Sequence, residues 1–128
     1  MTTRGGRFWL TPPELELEVT KLLGTNEWFD PCPFPKPKIW DALTMTWGKP
    51  WYINPPFLSC DGGGPTAFIR KAISEGGPGV IVYPVNAGTH ELLGSNAKLL
   101  QLGRVRWLEC DTRARMPSPG LSALAILP

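Results

Sequence analysis

The sequence is poor in the residues that build metal centres and disulfide frameworks. Its 128 residues include three cysteines, Cys32, Cys60 and Cys110, with no Cys-x-x-Cys pair, and a single histidine, His90. A zinc site needs three or four clustered ligands, so the sequence predicts no metal site. Three widely separated cysteines are more typical of reduced thiols than of disulfides, which favours a cytoplasmic protein.

Long apolar runs are missing as well. No stretch of about 18 apolar residues and no apolar leader segment occurs, so neither a membrane span nor export is predicted. Charged residues make up 19% of the chain and the net charge is +2, which permits contact with nucleic acid without predicting it. A hydrophobic content of 42% suits one domain over residues 1–128, with the polar, glycine-rich residues 1–7 loosely ordered.

Helix and strand signals alternate along the chain. Thr11 and Glu14 form a capping box at the start of the first helix. Helices are predicted over 12–23, 39–47, 65–75 and 90–102, and strands over 27–30, 51–53, 79–85, 104–110 and 121–127. This alternation predicts an α/β fold with a mostly parallel sheet of about five strands and helices on both faces. The last two strands are expected to pair antiparallel, because their ten-residue connection has no room for a crossover helix.

Polar side chains and stiff proline turns follow three of the predicted strands. The three segments are Asp30-Pro-Cys, Asn54-Pro-Pro-Phe and Tyr83-Pro-Val-Asn86. Ligands of parallel sheets bind outside the carboxyl ends of the strands. These segments are therefore the candidates for a binding site, and Asn86 is a further candidate for lining it.

The Asn-Pro-Pro-Phe segment suits the chemistry of an amino group. The Asn54 carboxamide oxygen and the Pro55 carbonyl are two acceptors whose direction is held by the fixed φ of proline. Two convergent acceptors suit an amine that donates both hydrogens while its lone pair attacks an electrophile. Phe57 offers a face on which a planar base can stack. A strand end closed by a proline turn, with no ligand, explains the same four residues.

The ordered set of motifs resembles the phage-type N-6-adenine DNA methyltransferases, a branch of the S-adenosylmethionine-dependent amino-methyltransferases. The segments that carry the resemblance are Trp9-Leu-Thr-Pro, Phe29-Asp-Pro-Cys, Asp41-Ala-Leu with Trp47, Ile53-Asn-Pro-Pro-Phe, Val82-Tyr-Pro-Val-Asn, Gly103-Arg-Val-Arg-Trp and Ser122-Ala-Leu-Ala. The resemblance implies a minimal Rossmann-like methyltransferase fold. It also implies methyl transfer from S-adenosylmethionine to the exocyclic amine of adenine in DNA, in a bacterial host cytoplasm.

The resemblance assigns roles to two groups of residues, and the clustering of basic residues in the sequence suggests a third group. The target adenine, flipped out of a duplex or carried on a single strand, is expected at Asn54, Pro55, Pro56 and Phe57. The cofactor is expected at Trp9, Thr11, Pro12, Asp30, Pro31 and Asp41, with Asp41 as the acid that holds its ribose. Contacts with nucleic-acid phosphates are expected at Lys36, Lys38, Arg104, Arg106, Arg113 and Arg115. Ordinary solvated charges account for these basic residues equally well.

The stretch between Asp30 and Asn54 departs from the family pattern. It has only 23 residues, and it carries prolines where a glycine-rich loop would let the backbone approach a cofactor. Two alternatives therefore stay open. One is a catalytically weakened, methyltransferase-like module for nucleic-acid binding or assembly, and the other is an amino-methyltransferase acting on RNA or on protein glutamine. A homo-oligomer or a partner subunit would complete such a reduced cofactor site.

Overall fold

The computed structural model describes residues 9–33, 39–55, 64–85, 87–109, 112–115 and 121–128. Within these ranges the helices are α1 (Pro13–Leu23), α2 (Pro65–Glu75) and α3 (Thr89–Leu93). The strands are β1 (Trp9–Leu10), β2 (Trp51–Ile53), β3 (Gly79–Pro84), β4 (Lys98–Arg104), β5 (Leu108–Glu109) and β6 (Leu121–Leu127). None of these helices has the length and apolar character needed to cross a membrane.

The main sheet has four strands in the order β2-β3-β6-β4, and β1 pairs separately with β5. β2 and β3 pair parallel, whereas β6 pairs antiparallel with both of its neighbours. The predicted mostly parallel sheet is therefore wrong: the sheet is mixed, and it is not a clear Rossmann fold. The physical reason is that β6, which is apolar along most of its length and largely buried, enters the middle of the sheet instead of adding to its edge.

The strand directions bring the carboxyl ends of three strands to one edge of the sheet. β6 is antiparallel to both β3 and β4, so β4 runs in the same direction as β2 and β3. We call the side on which β2, β3 and β4 end the carboxyl edge. The predicted strand at 27–30 is reduced to a single parallel bridge between Phe29 and Trp51, which brings Asp30 to the same side.

Helices cover both faces of the sheet. On one side, the α1 face, Leu15 and Val19 of α1 pack in a buried cluster with Tyr52. On the other side, the α2 face, Phe68 and Ile69 of α2 pack in a second cluster. Side chains alternate between the faces along each strand, so the neighbours of Tyr52 in β2 belong to the α2 face.

The chain between residues 89 and 110 differs most from the prediction. The helix predicted to continue to residue 102 ends at Leu93, and β4 occupies residues 98–104. Ser95 makes the turn between them, because its Oγ donates to the Leu92 carbonyl at 2.7 Å and accepts from the Ala97 N–H at 3.1 Å. Gly103, predicted as the helix stop, has φ 78° beside a bulge of β4. In the segment predicted as a strand over 104–110, Arg104 ends β4 and residues 108–109 form β5, while Cys110 lies outside the described residues. β5 pairs with β1 and β6 pairs with β3 and β4, so the predicted pairing of the strands over 104–110 and 121–127 is wrong apart from Arg104.

Two further predictions, a helix and a helix cap, are also wrong. The segment predicted as a helix over 39–47 is a turn, in which the N–H groups of Thr44 and Met45 donate to the Asp41 carbonyl. Helix α1 has no side-chain cap, and Pro12 is its N-cap residue. The predicted capping box does not form, because the Thr11 hydroxyl and the Glu14 carboxylate each bond to a distant part of the chain.

Candidate functional site at the carboxyl edge

Asn54 and Pro55 follow β2 directly at the carboxyl edge. Pro55 is buried and Asn54 is half-buried. The parallel register pairs Ile53 with Ile81, so β3 continues past this point and flanks the Asn54 side of the edge. The other predicted residues of this site, Pro56, Phe57 and Asn86, lie outside the described residues.

The packing of Trp51 fixes the position of β2 against β3. The Trp51 side chain is fully buried, and its Nε1 donates to the Gly76 carbonyl at 2.8 Å. Its ring meets Trp47 edge to face, with 5.0 Å between the ring centroids. The ring lies over Gly79, where a Cβ atom would stand only 2.1 Å from it. Asn54 therefore follows a strand whose register is tightly set.

A buried tyrosine joins the segment before α1 to β2. The Tyr52 hydroxyl and the Thr11 Oγ1 are 2.8 Å apart and hydrogen-bonded, and the Tyr52 ring meets Trp28 edge to face. Burial raises the pKa of the Tyr52 hydroxyl, with the nearby Asp30 charge contributing in the same direction. Two residues predicted to bind the cofactor, Thr11 and Asp30, thus lie around Tyr52, and Pro12 is buried next to Thr11.

Asp30 follows the short bridge to β2. The Phe29 N–H donates to the Pro50 carbonyl at 2.8 Å, and the Tyr52 N–H donates to the Phe29 carbonyl at 3.1 Å. The Asp30 Oδ1 accepts from the Cys32 N–H at 2.9 Å. The residue is exposed at the surface, yet loss of hydration around its carboxyl raises the pKa of that group, against the opposing effect of the Cys32 N–H.

The turn after Asp30 is closed by an aromatic side chain. Pro31 is buried, and its carbonyl accepts from the Trp40 Nε1 at 2.7 Å. Asp41, the predicted ribose ligand, uses its Oδ1 to accept from the Leu43 N–H at 3.0 Å. The structure therefore gives Asp41 a role within its own turn. For Trp9 the structure describes only the backbone, which pairs with Glu109.

Three of the predicted phosphate ligands line one groove. This arginine groove has a volume of about 430 Å³ and lies between the start of α1 and the end of β4. Its lining residues are Pro12, Glu14, Leu15, Glu18, Leu102, Arg104, Val105, Arg106 and Arg115. Arg113, two residues before Arg115, is exposed and has φ 63°, but it does not line the groove. Lys36 and Lys38 lie outside the described residues.

Sequence reasoning missed Tyr52 as a residue of the edge and Glu14 as a residue of the groove. Strand alternation could have found Tyr52, because positions 52 and 54 fall on the same face of an extended chain. No local signal links Glu14 to Arg115, the residue it bonds in the structure, because the two are 101 positions apart.

Among the residues that the structure describes, no three His, Cys, Asp or Glu side chains gather into a group that could hold a metal ion. Comparison of the chain with protein families, with curated proteins and with solved structures finds no match.

Proposed function

We propose that the chain is an S-adenosylmethionine-dependent methyltransferase that modifies the exocyclic amine of adenine in DNA. The observation that carries the proposal is the joint position of Asn54-Pro55 and Asp30. Asp30 follows the Phe29 bridge and Asn54 follows β2, and because these two segments are parallel neighbours, both residues lie on the same side of the sheet. Ligands of α/β sheets bind outside this edge.

Asn54 and Pro55 supply the acceptors that the reaction requires. The Asn54 Oδ1 and the Pro55 carbonyl would accept the two hydrogens of the amine, which leaves the nitrogen lone pair directed away from them. Held in this way, the nitrogen would face the methyl group of a bound donor, and on accepting that group the amine would lose one proton to solvent. Position and orientation supply the rate enhancement, so no general base is needed beside Asn54.

Asp30 is the residue of this edge that best fits the cofactor. S-adenosylmethionine, when bound, supplies a methyl group on a positively charged sulfur. A cation beside Asp30 would offset the loss of hydration that raises the pKa of this carboxyl. Thr11, Pro12 and Pro31 would line the same side. The Pro31 carbonyl already accepts a hydrogen bond from Trp40. Contacts with the cofactor would therefore come mainly from side chains.

Nucleic acid is the substrate that the charges of the edge favour. The arginine groove contributes Arg104, Arg106 and Arg115, and phosphate contacts of this kind supply most of the affinity for DNA without reading its sequence. An adenine paired in a duplex hides its amine, so the target would be flipped out or lie on a single strand.

A nucleic-acid-binding or assembly module without catalysis is the second candidate. One observation favours it: the backbone of the segment that would hold the cofactor pairs with the sheet through the single Phe29 bridge, and the sequence that follows contains prolines and no glycine. Such a module would keep the arginine groove and lose methyl transfer. A partner subunit that completes this half of the site stays a prediction.

Transfer of label from tritiated S-adenosylmethionine to separate pools of DNA, RNA and protein tests the proposal. We expect label in DNA, highest in single-stranded DNA. Label in RNA or in protein glutamine alone would assign another substrate. No label, together with no heat of binding in calorimetry at millimolar cofactor with and without DNA, would support the non-catalytic module.

Asn54→Ala tests the site itself. Loss of one of the two acceptors should reduce transfer by about a hundredfold or more, as for the loss of one donor from an oxyanion hole. Asn96→Ala is the matched control, because Asn96 is an exposed residue just before β4, at the opposite edge of the sheet. Undiminished transfer by the Asn54 variant, or an equal loss in both variants, would overturn the assignment of Asn54.

A further inference from the structure

Arg115 is bound by a carboxylate inside the arginine groove. Its two terminal nitrogens donate to the two carboxylate oxygens of Glu14 in the first turn of α1, the longer bond being 3.0 Å. This fork-to-fork geometry is also the one in which arginine binds a phosphate group. The pair joins positions 101 residues apart and ties the connection before β6 to α1.

The pair is accessible to solvent. The Arg115 side chain is 43% exposed and the Glu14 side chain is 60% exposed, and both line the groove together with Arg104 and Arg106. Exposed ion pairs contribute only about 0–1 kcal/mol to stability. A phosphate that reaches this position can therefore replace the Glu14 carboxylate at small cost.

We propose that Arg115 forms, with Arg104 and Arg106, a binding position for one backbone phosphate of a nucleic-acid strand, and that Glu14 holds this position until the strand displaces it. The inference rests on the proposed function, since it takes nucleic acid as the ligand. β4 lies three strands across the sheet from β2, about 14 Å at the usual strand spacing. The groove therefore lies away from the Asn54 end of the sheet, so the bound phosphate belongs to the flank of the target base.

The competition predicts that removing the Glu14 charge strengthens binding. Glu14→Gln should tighten the binding of a fluorescently labelled single-stranded oligonucleotide, measured by anisotropy. Glu18→Gln is the matched control, because Glu18 lines the same groove on the same helix and loses the same charge. We expect Glu14→Gln to bind about fivefold more tightly than Glu18→Gln, the equivalent of releasing one exposed ion pair.

Arg115→Gln separates competition from a general charge effect. In this background Glu14→Gln and Glu18→Gln should have equal effects, because the competing pair is gone. Arg115→Gln alone should weaken binding and reduce the slope of log K against log salt by about 0.7, the value for one phosphate contact on a single strand. Thermal unfolding of each variant shows that the fold is retained.

The outcomes distinguish this inference from the proposed function. Equal affinities of the Glu14 and Glu18 variants, or weaker binding by the Glu14 variant, would overturn the inference, and methyl transfer to DNA by the same preparation would leave the proposed function standing. No binding of the oligonucleotide by the wild-type chain or by any variant would overturn the inference. Tighter binding by Glu14→Gln without methyl transfer would support it and favour the non-catalytic module.

Discussion

Gly79→Ala tests whether the packing of Trp51 sets the register of β2 and so the position of Asn54. A Cβ atom at residue 79 would stand 2.1, 2.3 and 2.4 Å from three atoms of the Trp51 ring. The ring cannot move aside freely, because it is fully buried, contacts Trp47 and donates to the Gly76 carbonyl. The added methyl group must therefore displace β2 from β3 or expel the indole from its place.

The cost follows from these contacts. Overpacking of a close-packed core costs about 1–3 kcal/mol, and loss of the hydrogen bond from Trp51 costs about 1 kcal/mol more. We expect Gly79→Ala to lower the free energy of unfolding by about 2–4 kcal/mol. For a chain of this length 1 kcal/mol corresponds to about 3–5 °C in Tm, so Tm should fall by roughly 10 °C.

Gly94→Ala is the matched control for this experiment. Gly94 has φ −86°, a conformation open to alanine, and the nearest atom to an added Cβ is 3.8 Å away. Its substitution should change the free energy of unfolding by less than about 1 kcal/mol. Urea titrations followed by tryptophan fluorescence and circular dichroism measure both variants. A loss in the Gly79 variant no larger than in the Gly94 variant would refute the tight packing of Trp51 on β3.

Three further predictions concern polar side chains. Tyr52→Phe and Thr11→Val should each cost about 1 kcal/mol, and the double variant little more than either, since both remove one hydrogen bond; fully additive losses in the double-mutant cycle would contradict the bond. Asp30→Asn should raise Tm at pH 7, because a raised carboxyl pKa means that the ionised form disfavours the folded state. This gain should vanish below about pH 4, where the carboxyl is protonated in both states, and a gain independent of pH would refute the reasoning. Ser122→Ala should raise the free energy of unfolding by up to about 1 kcal/mol in a urea titration, because the buried Ser122 hydroxyl has no hydrogen-bond partner among the described residues; a clear loss would contradict this.

The elements that the sequence predicts well are those with local signals. Helices α1 and α2 have apolar residues at helical spacing, a proline in the first turn and a glycine directly after the last residue. β3 and β6 are continuous apolar runs, and β2 ends where Asn54-Pro55 begins. Each of these signals comes from residues adjacent in sequence.

The elements that the sequence misses depend on distant partners. The segment Lys98–Arg104 carries leucines that suit a helix or a strand, and its pairing with β6 decides for the strand. The same pairing makes the sheet mixed, because β6 enters between β3 and β4. Sequence patterns show which segments are apolar, but they contain no direct signal for the order of strands in a sheet.

The same distinction between local signals and distant partners applies to the residues of the candidate site. Asn54 and Asp30 are predictable, because polar residues after apolar runs indicate strand ends. The bond between Thr11 and Tyr52 joins residues 41 positions apart, and it replaces a helix cap that local sequence rules favour. The capping box fails for this reason: a tertiary hydrogen bond outcompetes a local one when the hydroxyl reaches a buried partner.

The single Phe29 bridge has a consequence for dynamics. β3 pairs with β6 along its whole length and with β2 over residues 79–81, whereas the Phe29 segment joins the sheet through two backbone hydrogen bonds. The amide hydrogen of Phe29 should therefore exchange through local opening of this segment. The free energy of that opening should be lower than the free energy of opening that exposes the amides of β3. A ligand that needs Asp30 binds only the closed form, so its apparent affinity falls with the closed fraction and its binding slows exchange there. For such a ligand, affinity and local folding would be parts of one equilibrium.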